Sequence, residues 1–361
     1  MEAVNPRRAF QTLDGLRGVG AFLVVMRHVP AFFGPIRVPE SFLAVDLFYL
    51  VSGFVVAHAY GARLKAGGFF IDFMKTRVIR LYPLYAFGLA LGIVVASFAV
   101  ITDPAGWWTP ARLAEAIATG ALMIPLFPGL AANGSSLDGP TWTLLPELIA
   151  NMVYAAGVRF MTVWVLLAIL LVCGAGVVFA EFHYGTLDVG YNATDFWAAL
   201  ARVGFSFFAG VLVFRFFGDR KRDSELASWA CVAVLTLLLA WRPSEAQTPY
   251  FELGVVLVGF PILLAIAGWF EPSPLTGRVF SYVGLVSYGV YILHQPMGHL
   301  ARIALDHRLH VPGDARGLVF GAVFLAAVTG LASWLDGHFD GPLRRVLRAR
   351  FLPVRAKAPA Q

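Results

Sequence analysis

The chain has 361 residues, 58% of them hydrophobic and 14% charged, with a formal net charge of +6. An ordinary soluble chain carries about 25% charged residues, so this composition, with a mean hydropathy of +0.72, excludes that class. Apolar runs near the ~20 residues needed to cross a bilayer recur from end to end. They predict an all-α, polytopic integral membrane protein with about ten transmembrane helices.

In chain order the predicted spans lie at roughly 13–33, 42–60, 81–101, 142–158, 160–180, 198–216, 227–241, 250–270, 280–303 and 317–335. The stretch 114–130 is apolar but interrupted by Pro125 and Pro128, and it reads as interfacial or re-entrant. Basic residues gather on one side of this arrangement: Arg7, Arg8, Arg63, Lys65, Lys75, Arg77, Arg80, Arg159, Arg215, Arg220, Lys221, Arg222 and Arg278, then Arg344, Arg345, Arg348, Arg350, Arg355 and Lys357 in the tail. The other side holds Arg37, Arg112, Arg242, Arg302, Arg308 and Arg316. That asymmetry places both termini in the cytoplasm.

The isoelectric point near 9.5 follows from the same bias. The basic clusters abut spans, which suits anionic lipid at a bilayer surface and argues against nucleic acid. Asp14 and Arg17 interrupt the first apolar segment and no small-residue cleavage site follows, so it reads as an uncleaved first span. Cys173 and Cys231 fall within spans and read as buried thiols, not a disulfide framework. With no repeat or long linker, residues 1–361 form a single membrane domain with a short basic tail at 336–361 and no fused soluble domain. No metal site is expected.

The first span carries the most informative pair. Arg17 and His28 are eleven residues apart, about three helical turns, so they share a face and stand about 16 Å apart along the axis. A cation inside a span costs roughly 2.5–3.5 kcal/mol on insertion scales, which makes it a functional hypothesis by default. Arg27 and Arg202 also fall within spans. Arg77 and Arg80, just before the third span, share a helical face, and Pro83 lies where a helix start tolerates it. Together with Arg17 they suit an anion site, since arginine grips phosphate through a planar fork. Read alone, Arg77 and Arg80 fit positive-inside anchoring to lipid headgroups better than an anion site.

A second layer of polar groups is expected toward the other surface. It comprises His28, Asp46 near the outer end of the second span, Glu147 in the outer half of the fourth, and His294 past the middle of the ninth. Two imidazoles and two carboxylates at similar depth suit proton transfer. Gly53, after Ser52, permits close backbone approach, either to a ligand or to a packed helix. Trp142 and the pair Trp107–Trp108 fit an aromatic belt.

In order, these motifs resemble acyltransferase family 3, the integral-membrane O-acyltransferases of bacterial surface polysaccharides. The matching residues are Leu13-Asp14-Gly15-Leu16-Arg17 with His28, Val45-Asp46-Leu47-Phe48, and Ser52-Gly53-Phe54. Arg77 through Pro83 fits R-x-x-R-L-x-P, Trp142, Leu144 and Glu147 fit W-x-L-x-x-E, and Ser287-Tyr288, Tyr291 and His294 fit S-Y-x-x-Y-x-x-H. The resemblance implies a cytoplasmic acyl-coenzyme A donor, most often acetyl-CoA, with no permanently bound cofactor, and a glycan or lipid-linked sugar acceptor at the outer side of the bacterial cytoplasmic (inner) membrane.

Carried over, His28 resembles the catalytic histidine, with Glu147 and Asp46 as candidates to orient it. Arg17, Arg77 and Arg80, with Ser52, Gly53 and Tyr82, are expected on the donor, and Trp142, Tyr288, Tyr291 and His294 on the acceptor. Three departures stand out. Pro146 precedes Glu147 and is expected to kink that helix, Asn151-Met152-Val153-Tyr154 replaces an aromatic pair, and Asp340-Gly341-Pro342 stands for Glu-x-Pro. The alternative from another class is a proton-coupled transporter or flippase for a sugar or lipid, using His28, Asp46, Glu147 and His294 as a relay.

Overall fold

The computed structural model describes residues 10–67, 69–124, 137–218, 221–306 and 317–352. Thirteen α-helices carry almost all of this: α1 Gln11–His28, α2 Ala44–Ala66, α3 Phe70–Thr102, α4 Pro110–Ala121, α5 Leu144–Gly157, α6 Val163–Tyr184, α7 Phe196–Phe217, α8 Glu225–Ala240, α9 Thr248–Gly254, α10 Phe260–Trp269, α11 Pro274–Asp306, α12 Gly317–Leu335 and α13 Gly341–Phe351. Two π-turns, Val255–Gly259 and Asp336–Asp340, join α9 to α10 and α12 to α13. The strands found are a two-residue parallel pair, β1 Arg222–Asp223 and β2 Phe270–Glu271.

Among the described residues, six helical stretches are long and apolar enough to cross a membrane: Pro39–Ala66, Phe70–Thr102, Val163–Tyr184, Phe196–Phe217, Thr248–Trp269 and Gly317–Phe351. The expected number was about ten. Helices occupy the remaining expected positions, but α1 carries Asp14, Arg17 and Arg27, and α5 is only 14 residues long, about 21 Å. Burial also divides the helices. α6 exposes Trp164, Leu171, Val172 and Phe179, an apolar face that lipid would cover.

Helices α1 and α11 run side by side in the same direction. Glycines at the contact allow it: a Cβ on Gly15 or Gly18 would meet Phe280 or Val283, and one on Gly284 would meet Asp14. Glu271 of β2 fixes the start of α1. Its carboxylate accepts from the backbone N–H of Phe10 (2.7 Å) and of Gln11 (2.8 Å), which satisfies two of the otherwise unpaired amides of a helix start. On the opposite side, α2 packs on α7, with Gly53 against the Phe207 carbonyl and Gly210 against the Leu50 carbonyl.

The third and fourth expected spans are revised. α3 begins at Phe70, about three turns before the expected start, so Arg77 and Arg80 lie inside it and Pro83 is an interior proline. The expected re-entrant stretch 114–130 is helical through Ala121, within α4, and residues 125–130 fall outside those described. The end of α4 lies against mid-α3, where Tyr82 Oη donates to Ala121 O (2.9 Å) and Tyr85 Oη to Gly120 O (2.5 Å). Leu137, Asp138 and Thr143, just ahead of α5, are buried, so α5 begins within the protein. Pro146 sits in the first turn of α5, where a missing N–H leaves no helical bond unmade.

Candidate active site

Two cavities open beside α1, one at each end of the Arg17–His28 face. The arginine cavity, about 200 Å³, is lined by Arg17, Ser52, Arg77, Arg80, Glu147, Ser287, Tyr288, Asp336, Asp340 and Arg344. The histidine cavity, about 600 Å³, is lined by His28, Tyr85, Asp138, Thr141, Trp142, Arg202, Tyr291 and Gln295, among others. Val45 and Tyr291 line both. The partition is built by hydroxyls: Tyr291 Oη donates to Pro140 O (2.9 Å) and meets Thr143 Oγ1 at 3.2 Å, while Tyr49 Oη donates to Thr143 O (3.1 Å).

In the arginine cavity most cations have a carboxylate partner. Arg17 pairs with Asp14 (3.1 Å) and reaches across to α11, donating to Ser287 Oγ (3.0 Å) and Gly284 O (2.6 Å). Arg77, 4% exposed, pairs with Glu147 at 2.5 Å, and Ser52 Oγ donates to the same oxygen at 2.6 Å. Arg344 is held between Asp336 and Asp340, at 2.7 Å from each. Arg80 alone among these four has no carboxylate ion pair among the described residues and is exposed at the cavity. Its charge is the one left to meet an incoming anion.

In the histidine cavity, His28 Nδ1 lies 2.9 Å from Val24 O. A carbonyl only accepts, so Nδ1 carries the proton and Nε2 of the neutral ring keeps its lone pair. His294 makes the same contact with Val290 O at 3.2 Å, and its Nε2 has no partner among the described residues. The two rings stand 4.9 Å apart. His294 is fully buried and lines neither cavity, so it bears on the site through His28 and not as the expected acceptor contact.

Several expected groupings change. Glu147 was placed at the depth of His28; it lies instead in the arginine cavity on Arg77, because α5 starts inside the protein. Asp46 does not approach His28 either. Its carboxylate is bound by Arg202, with Nη2–Oδ2 2.5 Å and Nε–Oδ1 3.2 Å, both side chains fully buried. Arg202 in turn lies over the Trp142 ring, 5.8 Å from its centroid, so this pair supports a wall of the histidine cavity. Gly53 faces Phe207 and is closed to any ligand. Tyr82 lines neither cavity, and Tyr288, donating to Leu81 O at 2.7 Å, lines the arginine cavity rather than the acceptor side. Ser52, Arg17, Arg77 and Arg80 do converge, and Trp142 and Tyr291 do face the histidine cavity.

Three groups were missed. Arg344 lay in what read as a basic tail. Arg202 showed the same signal as Arg17, a cation inside an apolar run, and was passed over. Asp138 sits in the loop ahead of α5, 2% exposed, with neither carboxyl oxygen hydrogen-bonded among the described residues. Burial alone pushes its carboxyl well above the usual range; no sequence pattern marks it.

Two neighbouring cavities that share Val45 and Tyr291, one lined by arginines and one by His28, lie within this helical membrane protein. An acyltransferase-domain family profile, that of acyltransferase family 3, matches residues 10–335, and the chain belongs to that family. It is also similar to a protein from Rhizobium radiobacter described as "Protein 2 in picA locus", 45% identical over 166 residues, covering 42% of this chain and 83% of the relative. No solved structure matches it.

Proposed function

We propose that the protein moves an acyl group, most often acetyl, from acyl-coenzyme A to a hydroxyl of a cell-surface or exported glycan. In this reading it lies in the bacterial cytoplasmic membrane with ten spans and both termini cytoplasmic, and the arginine cavity faces the cytoplasm. Six apolar helices and the family support a multi-pass membrane acyltransferase. The single observation that carries the mechanism is the meeting of the two cavities at Tyr291, with cations at one end and His28 at the other, about 16 Å along α1. The arginine cavity is small against typical ligand pockets of ~300–1,000 Å³, so it suits the pantetheine arm, with the nucleotide phosphates at its mouth on Arg80, Arg17 and Arg344.

The chemistry then follows from His28. Its Nε2 takes the proton of the acceptor hydroxyl while that oxygen attacks the thioester carbonyl. The C–S bond breaks, and the departing thiolate takes the proton back from the imidazolium. Arg77 and Glu147 hold one another and Ser52 along the donor route.

The test is calorimetric binding of acetyl-CoA to the detergent-purified protein and to Arg80→Ala. Micromolar binding weakened at least tenfold in the variant, about 1.4 kcal/mol, supports the donor site. Wild-type protein that binds neither acetyl- nor succinyl-CoA would sink the acyltransferase reading and favour transport.

A further inference from the structure

Resting on the acyl-transfer reading, we propose that Asp138 is the residue that grips the acceptor, and that it takes an uncharged sugar ring through a pair of neighbouring hydroxyls. Asp138 lines the histidine cavity together with His28. Both its oxygens are buried and, among the described residues, without a hydrogen-bond partner, a costly state for a group that serves only the fold. It is closely housed: a Cβ on Gly88 would come within 3.1 Å of Asp138 Oδ2, so α3 leaves room for the carboxyl and little else.

The surroundings select the ligand class. Of the three arginines that line the cavity, Arg202 pairs with Asp46 and Arg27 with Asp188, each at 2.5 Å, Arg302 is exposed, and none of them pairs with Asp138 among the described residues. A buried carboxyl without a counter-ion keeps its proton, and a neutral carboxyl both donates and accepts one hydrogen bond. That is the complement of a vicinal diol. Gln295 adds donors, because its amide oxygen is occupied by the Gly139 N–H and its NH₂ group remains. Trp142, half-buried in the same wall, supplies an aromatic face for the apolar side of a ring. An amino sugar's ammonium would find no ionised carboxylate here, and a uronate would bury its own charge beside a neutral carboxyl.

Saturation-transfer NMR on the detergent-purified full chain tests this with methyl glucoside, methyl glucosaminide and methyl glucuronide as probes. The same samples are titrated with acetyl-CoA. Expected is transfer to the neutral glycoside, retained within about threefold by Asp138→Asn, whose amide also donates and accepts, and lost at least tenfold by Asp138→Ala. Acetyl-CoA binding stays unchanged in both. The proposal is overturned if Asp138→Ala binds the neutral glycoside as wild type does, if the glucosaminide is preferred, or if wild type binds no glycoside. Where Asp138→Ala does not yield monodisperse protein, a loss in Asp138→Asn as complete as deletion of the glycoside's hydroxyl pair also overturns it. Loss of acetyl-CoA binding in wild type is a separate result and strikes the acyl-transfer reading itself.

Discussion

Removing the Asp46 carboxylate should unfold the protein well before it tests any chemistry. Arg202 is 1% exposed and Asp46 0%, and the two are joined by contacts of 2.5 and 3.2 Å. Without Asp46, the guanidinium keeps one carbonyl, Val189 O at 2.9 Å, and a ring contact with Trp142 worth about 0.5–2 kcal/mol. An uncompensated buried charge costs about 3–5 kcal/mol, so either Asp46→Leu or Arg202→Met alone should lose that much. The double variant replaces the whole pair by apolar side chains and should recover most of it. Reversible unfolding in mixed detergent–SDS micelles reads the cycle. A double variant as unstable as the sum of its singles refutes the ion-pair account. A double variant that folds, binds acetyl-CoA and yet transfers no acyl group refutes the placement of Asp46 outside the chemistry.

Three further outcomes are expected. Gly53→Ala puts a methyl group into the Phe207 carbonyl and should destabilise the α2–α7 contact by at least about 1–3 kcal/mol, visible as loss of monodisperse protein, whereas Gly254→Ala, with open space around its Cβ, should be tolerated. His28→Ala should bind acetyl-CoA as wild type but lose about 10²–10⁴-fold in transfer; full transfer in that variant refutes the general-base role. Asp138 holds its proton in the fold above the pH at which the unfolded chain releases it, so stability is full below about pH 4 and falls as pH rises toward the raised value, by up to about 1.4 kcal/mol per unit. Asp138→Asn should remove that slope between pH 5 and 8, and parallel unfolding profiles for the two proteins would contradict it.

Much of the site was legible because its members break local rules. Arg17 and His28 are polar groups in an apolar helix, and a helix is rigid enough that eleven residues of spacing fix both face and distance. The same holds for Arg77 and Arg80, three residues apart on α3. Depth was harder to read. Glu147 was assigned to the wrong cavity because hydropathy cannot tell a full span from a helix that starts inside the protein, and only the burial of Leu137, Asp138 and Thr143 shows where α5 begins.

Composition and periodicity thus determined that the chain is helical and membrane-borne, since each follows from the local balance of apolar and charged side chains. Tertiary structure decided which opposite charges meet. Asp46 and Arg202, 156 residues apart, share no sequence signal, because ion pairing depends on the packing of α2 against α7 that glycines permit. It also decided that Asp138 would be left without a partner. An unmade hydrogen bond is a property of everything packed around a group, and no stretch of sequence records it.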